Sequence, residues 1–134
     1  MSRIAESVRL AVRRRANGRC EYCRRPEETS PFSYNVDHIV SQKHGGSSRL
    51  DNLAWACVDC NISKGPDVAA YDQETGLLAA LYDPRNQEWN AHFVMEEGVI
   101  RGLTPVGRAT ARLLDFNDPD RLEARGKLVA LGLW

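Results

Sequence analysis

The sequence has 134 residues, of which 43% are hydrophobic and 27% are charged. These values are close to globular averages and exclude disordered, collagen-like and coiled-coil chains. No apolar run exceeds six residues, far below the ~20 that cross a bilayer, and residues 1–9 lack the apolar stretch of a secretory signal. We therefore expect one cytoplasmic domain, residues 1–134, that makes no contact with a membrane.

Charge is distributed unevenly along the chain, although the formal net charge is zero. Residues 1–65 hold eleven basic and seven acidic side chains, whereas residues 66–134 hold seven basic and eleven acidic ones. A basic half favours a polyanionic partner, and the alternative is that these charges only keep a helix face solvated. The basic side chains that we single out for such a contact are Arg13, Arg14 and Arg15.

The first half of the chain predicts one helix, followed by two strands and a second helix. Residues 3–16 have apolar side chains at helical spacing, and Asn17-Gly18 can end that helix in a left-handed conformation. Residues 32–40 and 53–57 predict strands joined by a polar, Gly-rich loop. Residues 61–64 predict a short helix that ends at Gly65-Pro66.

The second half predicts a small antiparallel sheet and two helices. Short apolar segments at 77–81, 94–95 and 99–100 predict the strands. Thr104-Pro105 and Asp118-Pro119 each place a capping side chain before a proline that suits the first helical position. The predicted fold class is therefore α+β, with residues 1–19 as a basic N-terminal helix, residues 20–66 as the core, and residues 67–134 appended to that core.

The four cysteines form two Cys-x-x-Cys pairs, at residues 20–23 and 57–60. Thiolates three residues apart across a tight turn can bind one ion, and two such pairs complete a tetrahedral S4 zinc site. Disulfides, with three possible connectivities, are one alternative, and a redox-active pair is another, although Cys20 does not follow the strand of a βαβ unit. We adopt the zinc interpretation, in which the ligands are Cys20, Cys23, Cys57 and Cys60.

The segment between the two pairs carries further chemistry. Thirty-three residues separate Cys23 from Cys57, more than the ~15–20 of a plain zinc ribbon. Asp37 and Asn61 can supply two oxygen ligands to Mg²⁺, and the His38 imidazole can take a proton from water near neutral pH. Because adjacent residues of an ideal strand face opposite sides, Asp37 and His38 converge only at a strand end or a bulge.

The motifs follow one another in a characteristic order: Cys-x-x-Cys, Asp-His-Ile-Val, a Gly-Gly loop, Asp-Asn-Leu, and Cys-x-x-Cys-Asn-x-x-Lys-Gly. In this order and spacing, residues 20–65 resemble the zinc-containing HNH endonucleases, whose core is a ββα-metal fold. The chain departs from that family at the third motif letter, where Asn61 stands in place of His. Loss of an imidazole favours Mg²⁺ or Mn²⁺ over softer ions.

The resemblance implies hydrolysis of phosphodiester bonds in DNA, giving 5′-phosphate and 3′-hydroxyl ends. It implies that His38 is the general base and that Asn52 holds the Gly-rich loop and so orients His38. Asp37 and Asn61 would bind the catalytic Mg²⁺ or Mn²⁺, while the zinc ion is structural because S4 ligation leaves it no open position. Lys64 is expected either to meet a phosphate as a point charge or to remain solvated.

Two other functions stay open at this point. The first is a nucleic-acid-binding module of the same fold that does not cleave. The second is a thiol-disulfide enzyme or redox sensor, which requires reactive thiols that a stoichiometric zinc ion would exclude. The sequence is compatible with a monomer or a homodimer, and a single catalytic centre cuts one strand unless the protein dimerises.

Overall fold

The computed structural model describes residues 4–134, and it consists of five helices and six strands within that range. Three short 3₁₀ turns lie in the connections of the first half. This mixture of helices and small antiparallel sheets confirms the predicted α+β class. In chain order, the elements are α1 Glu6–Arg15, β1 Asn35–His38, β2 Leu53–Ala56, α2 Val58–Lys64, β3 Ala69–Tyr71, β4 Leu78–Ala80, α3 Trp89–His92, β5 Phe93–Glu96, β6 Val99–Gly102, α4 Pro105–Leu113 and α5 Pro119–Ala130.

The first helix ends where the sequence predicts. Asn17 and Gly18 both have positive φ angles, 55° and 68°, so the chain leaves α1 through the left-handed region that these two residue types tolerate. Val12 is completely buried on the inner face of α1, and Ala16 follows it at helical spacing. The predicted start of this helix, at residue 3, lies outside the described residues.

A β-hairpin followed directly by a helix forms the centre of the molecule. β1 and β2 are antiparallel, and their register places Asp37 opposite Ala54 and His38 opposite Leu53. Every residue of β2 is buried, as expected for a strand that is covered on both faces. Only Cys57 separates the end of β2 from the start of α2, so the three elements make the ββα unit that the motif order predicts.

The C-terminal half contains two hairpins instead of the one small sheet predicted. β3 pairs with β4, and β5 pairs with β6, each in a separate two-stranded antiparallel sheet. β3 was not predicted, because its Ala69-Ala70 pair has low strand propensity and its pairing with β4 depends on tertiary structure. α3 was not predicted either, because a single turn is too short to show helical periodicity.

Both closing helices begin at the predicted capping residues. The Thr104 side chain accepts a hydrogen bond from the Gly107 N–H, and the Asp118 side chain accepts one from the Asp120 N–H. Each helix has a proline at its start, where the missing N–H costs no intrahelical hydrogen bond. Local chemistry is therefore sufficient to fix where α4 and α5 begin.

One cluster of buried hydrophobic side chains joins the N-terminal, central and C-terminal elements. Phe93 lies at its C-terminal end, with ring centroids 5.1 Å from Trp89, 5.4 Å from Tyr82 and 5.6 Å from Phe116. The Trp89 Nε1–H donates to the Tyr22 carbonyl at 2.7 Å, so this aromatic group is fastened to the first cysteine turn. No helix among residues 4–134 has the length and apolar character needed to cross a membrane.

Close backbone packing between α4 and α3 gives a stability prediction. A Cβ atom on Gly107 would lie 2.0 Å from the His92 carbonyl oxygen, which belongs to the backbone and cannot rotate away. We expect Gly107→Ala to lower the free energy of unfolding by about 2 kcal/mol or more, because α4 must shift outward. Urea unfolding followed by circular dichroism measures the change.

Gly126→Ala in α5 is the matched control for that substitution. A Cβ there meets no atom within 4 Å, so alanine should raise stability by roughly 0.5–1 kcal/mol through its helix propensity. A Gly107→Ala protein as stable as the wild type would contradict the close approach of the two helices.

Candidate metal centre and active site

The four cysteines come together in one buried cluster. Cys20 and Cys23 lie in the turn after α1, and Cys57 and Cys60 lie at the start of α2. All four are free, and their Sγ atoms lie within 4.8 Å of one another. The Cys23 and Cys57 Sγ atoms are 3.7 Å apart, close to the ~3.8 Å edge of a tetrahedron with Zn–S bonds of about 2.3 Å. The donor set therefore fits a tetrahedral zinc ion, and no disulfide is formed.

Backbone amides and an arginine support the sulfur cluster from outside. The Cys23 N–H points to the Cys20 sulfur at 3.5 Å, and the Cys60 N–H points to the Cys57 sulfur at 3.4 Å. Arg121 from α5 donates to the Cys60 sulfur at 3.1 Å. Burial lowers the pKa of Arg121, but the neighbouring cysteine charges outweigh burial and raise it. This positive charge would offset part of the excess negative charge of a Zn(Cys)₄ group.

Removal of the metal gives a direct test of this centre. A strong chelator should abolish the cooperative thermal unfolding transition. The reason is that structural zinc contributes an amount comparable to the whole free energy of unfolding of a small domain, about 5–15 kcal/mol. Elemental analysis should give one zinc per chain before treatment. Zinc added back, but not magnesium, should restore the transition. A zinc-free protein with an unchanged melting curve would contradict the structural role.

Asp37 is buried within β1 and forms an ion pair with the buried Lys64. Its side chain is 5% exposed, the Tyr22 hydroxyl donates to Oδ2 at 2.6 Å, and the Lys64 Nζ lies 3.2 Å from Oδ2 and 3.4 Å from Oδ1. Lys64 is 1% exposed and also donates to the His38 carbonyl at 3.0 Å. Burial raises the pKa of Asp37, and the charge of Lys64 and the Tyr22 hydrogen bond partly oppose that rise.

The buried position of Lys64 therefore differs from both expectations, contact with a phosphate and exposure to solvent. Its long aliphatic stem lets α2 reach back to β1, and its ammonium group finds a carboxylate and a carbonyl there. The physical reason is that a buried carboxylate requires a compensating charge. The Lys64 ammonium is not available to a ligand at the surface.

Asn52 fastens the loop that follows β1. Its Oδ1 accepts from the Val40 N–H at 2.9 Å, and its Nδ2 donates to the Val40 carbonyl at 2.9 Å and to the Ser47 carbonyl at 2.8 Å. Gly46 lies beneath these bonds, where a Cβ would be 1.7 Å from the Val40 oxygen and 2.8 Å from the Asn52 amide. The second glycine of the Gly-Gly pair is thus required for close approach.

His38 is the last residue of β1 and faces the fastened loop. Its Nε2 lies 3.0 Å from the Ser48 Oγ, one residue after the carbonyl that Asn52 holds. The loop therefore occupies Nε2, and Nδ1 makes no hydrogen bond to any residue of the range 4–134. Neither Ser48 nor Tyr22 was singled out in the sequence, because no local spacing marks a hydroxyl whose partner lies ten or more residues away.

The structure does not join Asp37, His38 and Asn61 by direct hydrogen bonds. Asp37 contacts Tyr22 and Lys64, whereas His38 contacts Ser48, as alternation along a strand dictates. Asn61, half-buried in α2, has a side-chain amide with no hydrogen bond to the part of the chain described. The Asp37 carboxylate and this free amide supply oxygen ligands of the kind that Mg²⁺ prefers, so the two side chains fit a Mg²⁺ ion chemically. The Lys64 ammonium already forms an ion pair with that carboxylate.

The comparison with known families agrees with this geometry. Residues 20–67 match the family model described as HNH endonuclease. This segment is an HNH endonuclease domain. Its four clustered cysteines are consistent with the zinc-containing members of the family. No match was found among curated proteins or among solved structures.

The three consecutive arginines before the HNH domain have different surroundings. The Arg13 Nε donates to the Glu27 carboxylate at 3.0 Å. Arg14 is exposed and has no partner within residues 4–134. Arg15 is exposed as a residue, but its guanidinium donates to the carbonyls of Leu50 and Leu53. Of the three, Arg14 alone presents a free guanidinium to solvent.

The buried ion pair of the HNH domain gives a second stability prediction. Lys64→Met keeps the length of the side chain but leaves the Asp37 carboxylate without its cation. We expect a loss of about 3–5 kcal/mol, the usual cost of removing one partner of a buried pair. Chemical unfolding with zinc content verified measures the loss. Lys43→Met, on the exposed loop, should change stability by less than about 0.5 kcal/mol, and equal effects of the two substitutions would contradict the buried pair.

Proposed function

We propose that this HNH domain hydrolyses phosphodiester bonds in DNA in the presence of Mg²⁺ or Mn²⁺, leaving 5′-phosphate and 3′-hydroxyl ends. The observation that carries the proposal is the clamp that Asn52 makes with Val40 and Ser47, since it fixes the loop against His38. Such a clamp holds an imidazole in one orientation, which general-base catalysis requires. The match to the HNH endonuclease family supports the same class of reaction.

His38 is the group that would accept the proton of the attacking water. Ser48 occupies its Nε2, so with Nε2–H donating to the Ser48 hydroxyl, Nδ1 carries the lone pair. Nδ1 then takes the proton as water attacks phosphorus, and the loop keeps the ring from rotating. The arrangement resembles other catalytic histidines in which the second nitrogen is held by a hydrogen-bond partner.

Asp37 and Asn61 are the proposed ligands of the divalent ion. The ion would supply charge neutralisation at the phosphate and at the leaving 3′-oxygen. Asp37 is held in one orientation by the Tyr22 hydroxyl, and Asn61 lies on α2 with a side-chain amide that makes no hydrogen bond to residues 4–134. A ligand set of oxygen atoms, without a third histidine, suits Mg²⁺ or Mn²⁺.

One observation favours the alternative function, a nucleic-acid-binding module that does not cleave. Lys64 places a positive charge on the Asp37 carboxylate, which is where a divalent ion would be held. If Lys64 permanently replaces the ion, the domain binds DNA without hydrolysis. A thiol-disulfide enzyme is a weaker alternative, because a cluster that fits S4 zinc ligation leaves no reactive thiol.

The proposed unit is the whole of residues 1–134, acting as a monomer or as a homodimer. The exposed Arg14 is proposed to contact the DNA backbone, together with Arg13 when its ion pair with Glu27 opens. With a formal net charge of zero, nonspecific affinity should be modest and should fall steeply as salt is added. A monomer would cut one strand at a time.

Conversion of supercoiled plasmid to open circles tests the function. The wild-type protein should cut with Mg²⁺ or Mn²⁺ and stop when the divalent ion is withdrawn under conditions in which zinc is retained. His38→Ala should slow cleavage by about 10²–10⁴-fold, the usual contribution of a general base, while leaving DNA binding intact.

His44→Ala is the matched control, since His44 lies exposed on the same loop and its ring has no partner in the described chain. It should cut at the wild-type rate. A wild-type protein that binds DNA but cuts with neither ion would select the binding module. Equal rates for the His38 and His44 variants would exclude His38 as the base.

A further inference from the structure

Arg15 connects the first helix to the turn that carries Asn52. From the last position of α1, its Nη1 donates to the Leu50 carbonyl at 2.8 Å, and its Nη2 donates to the Leu53 carbonyl. Leu50 begins the 3₁₀ turn that ends at Asn52, and Leu53 begins β2. One guanidinium therefore holds the backbone on both sides of Asn52.

Two hydrogen bonds of its own also hold the Asn52 backbone. Its N–H donates to the Arg49 carbonyl within the turn at 2.9 Å, and its carbonyl accepts from the Ile39 N–H at 2.9 Å. The direction of the Asn52 side chain depends on this turn, because a 3₁₀ turn of three residues has little stability of its own. Arg15 supplies the contact that reaches the turn from outside the hairpin.

An arginine suits this contact better than a lysine does. The planar fork presents several N–H groups in fixed directions and can meet two carbonyls at once, whereas an ammonium group is a point charge on a flexible stem. Partial burial of the guanidinium lowers the pKa of Arg15, although the residue as a whole is exposed. The adjacent Arg14 has the same charge but makes no such contact within residues 4–134. A comparison of the two residues therefore distinguishes the effect of the charge from the effect of the hydrogen bonds.

We propose that Arg15 is a positioning residue of the HNH active site, which holds the Asn52 turn so that Asn52 can fix the loop against His38. The proposal rests on the proposed function, since it assigns Arg15 a part in the same cleavage reaction. Arg15 acts through the Asn52 turn and does not touch the substrate. It lies outside the segment that matches the family, residues 20–67.

Steady-state cleavage of a short duplex provides the first test, with zinc content measured for every variant. Arg15→Lys and Arg15→Ala should lower kcat about tenfold or more, with KM within about twofold of wild type, because a tilted clamp reduces the fraction of correctly oriented His38. Arg14→Ala removes the same charge without touching the turn and should instead act mainly through a raised KM. Wild-type kcat in Arg15→Lys would overturn the proposal.

Backbone hydrogen exchange provides a second test that needs no cleavage. In Arg15→Lys, the amides of Ile39 and Val40 should exchange at least several-fold faster, since both donate to Asn52. Amides of the β5–β6 hairpin should keep wild-type protection, which verifies that the variant is folded. Unchanged exchange at Ile39 and Val40 in Arg15→Lys would overturn the proposal. Faster exchange at these two amides together with a wild-type kcat would also overturn it.

The two failures can be told apart. If the wild-type protein does not cut but Arg15→Lys loosens Ile39 and Val40, the proposed function fails and the structural part of the inference survives, while the assignment to the active site is overturned. If the wild-type protein cuts and Arg15→Lys matches it in both measurements, the proposed function stands and Arg15 has no positioning role.

Discussion

The sulfur cluster is the constraint on which the rest of the HNH domain depends. It joins Cys20 and Cys23, after α1, to Cys57 and Cys60, at the start of α2, so the 33 intervening residues must leave and return to one point. The β1–β2 hairpin is the structure that satisfies this closure with its backbone hydrogen bonds paired. A zinc ion bound by the four thiolates would close this long loop at one point and so fix the position of α2 relative to β1.

Separation along the chain decides which features the sequence could predict. The helix caps at Thr104 and Asp118 and the paired cysteines act on neighbours two or three residues away, and their effects were predicted from local pattern. Arg15 and Lys64 find their partners 26–38 residues away. Which partner a long basic side chain reaches is set by tertiary packing, and composition records only that the charge exists.

The same two residues change how the basic half of the chain is understood. The excess of positive charge in residues 1–65 favoured a polyanionic partner, yet Lys64 neutralises Asp37 inside the protein, and Arg15 binds backbone carbonyls. Arg13 is paired with Glu27 at the surface. The number of unpaired positive side chains is therefore smaller than the composition of residues 1–65 suggests.

The divalent ion proposed for Asp37 would compete with Lys64 for the same carboxylate. A carboxylate that is 5% exposed is unstable without a nearby cation, so Lys64 lets the domain fold before any divalent ion is bound. A divalent ion bound at the same carboxylate, as proposed above, would meet the repulsion of the ammonium group, and this repulsion would offset part of its binding free energy. Tyr22 orients Asp37 through the hydrogen bond from its hydroxyl to Oδ2. On this proposal, the buried lysine stabilises the fold and lowers the affinity of Asp37 for the ion.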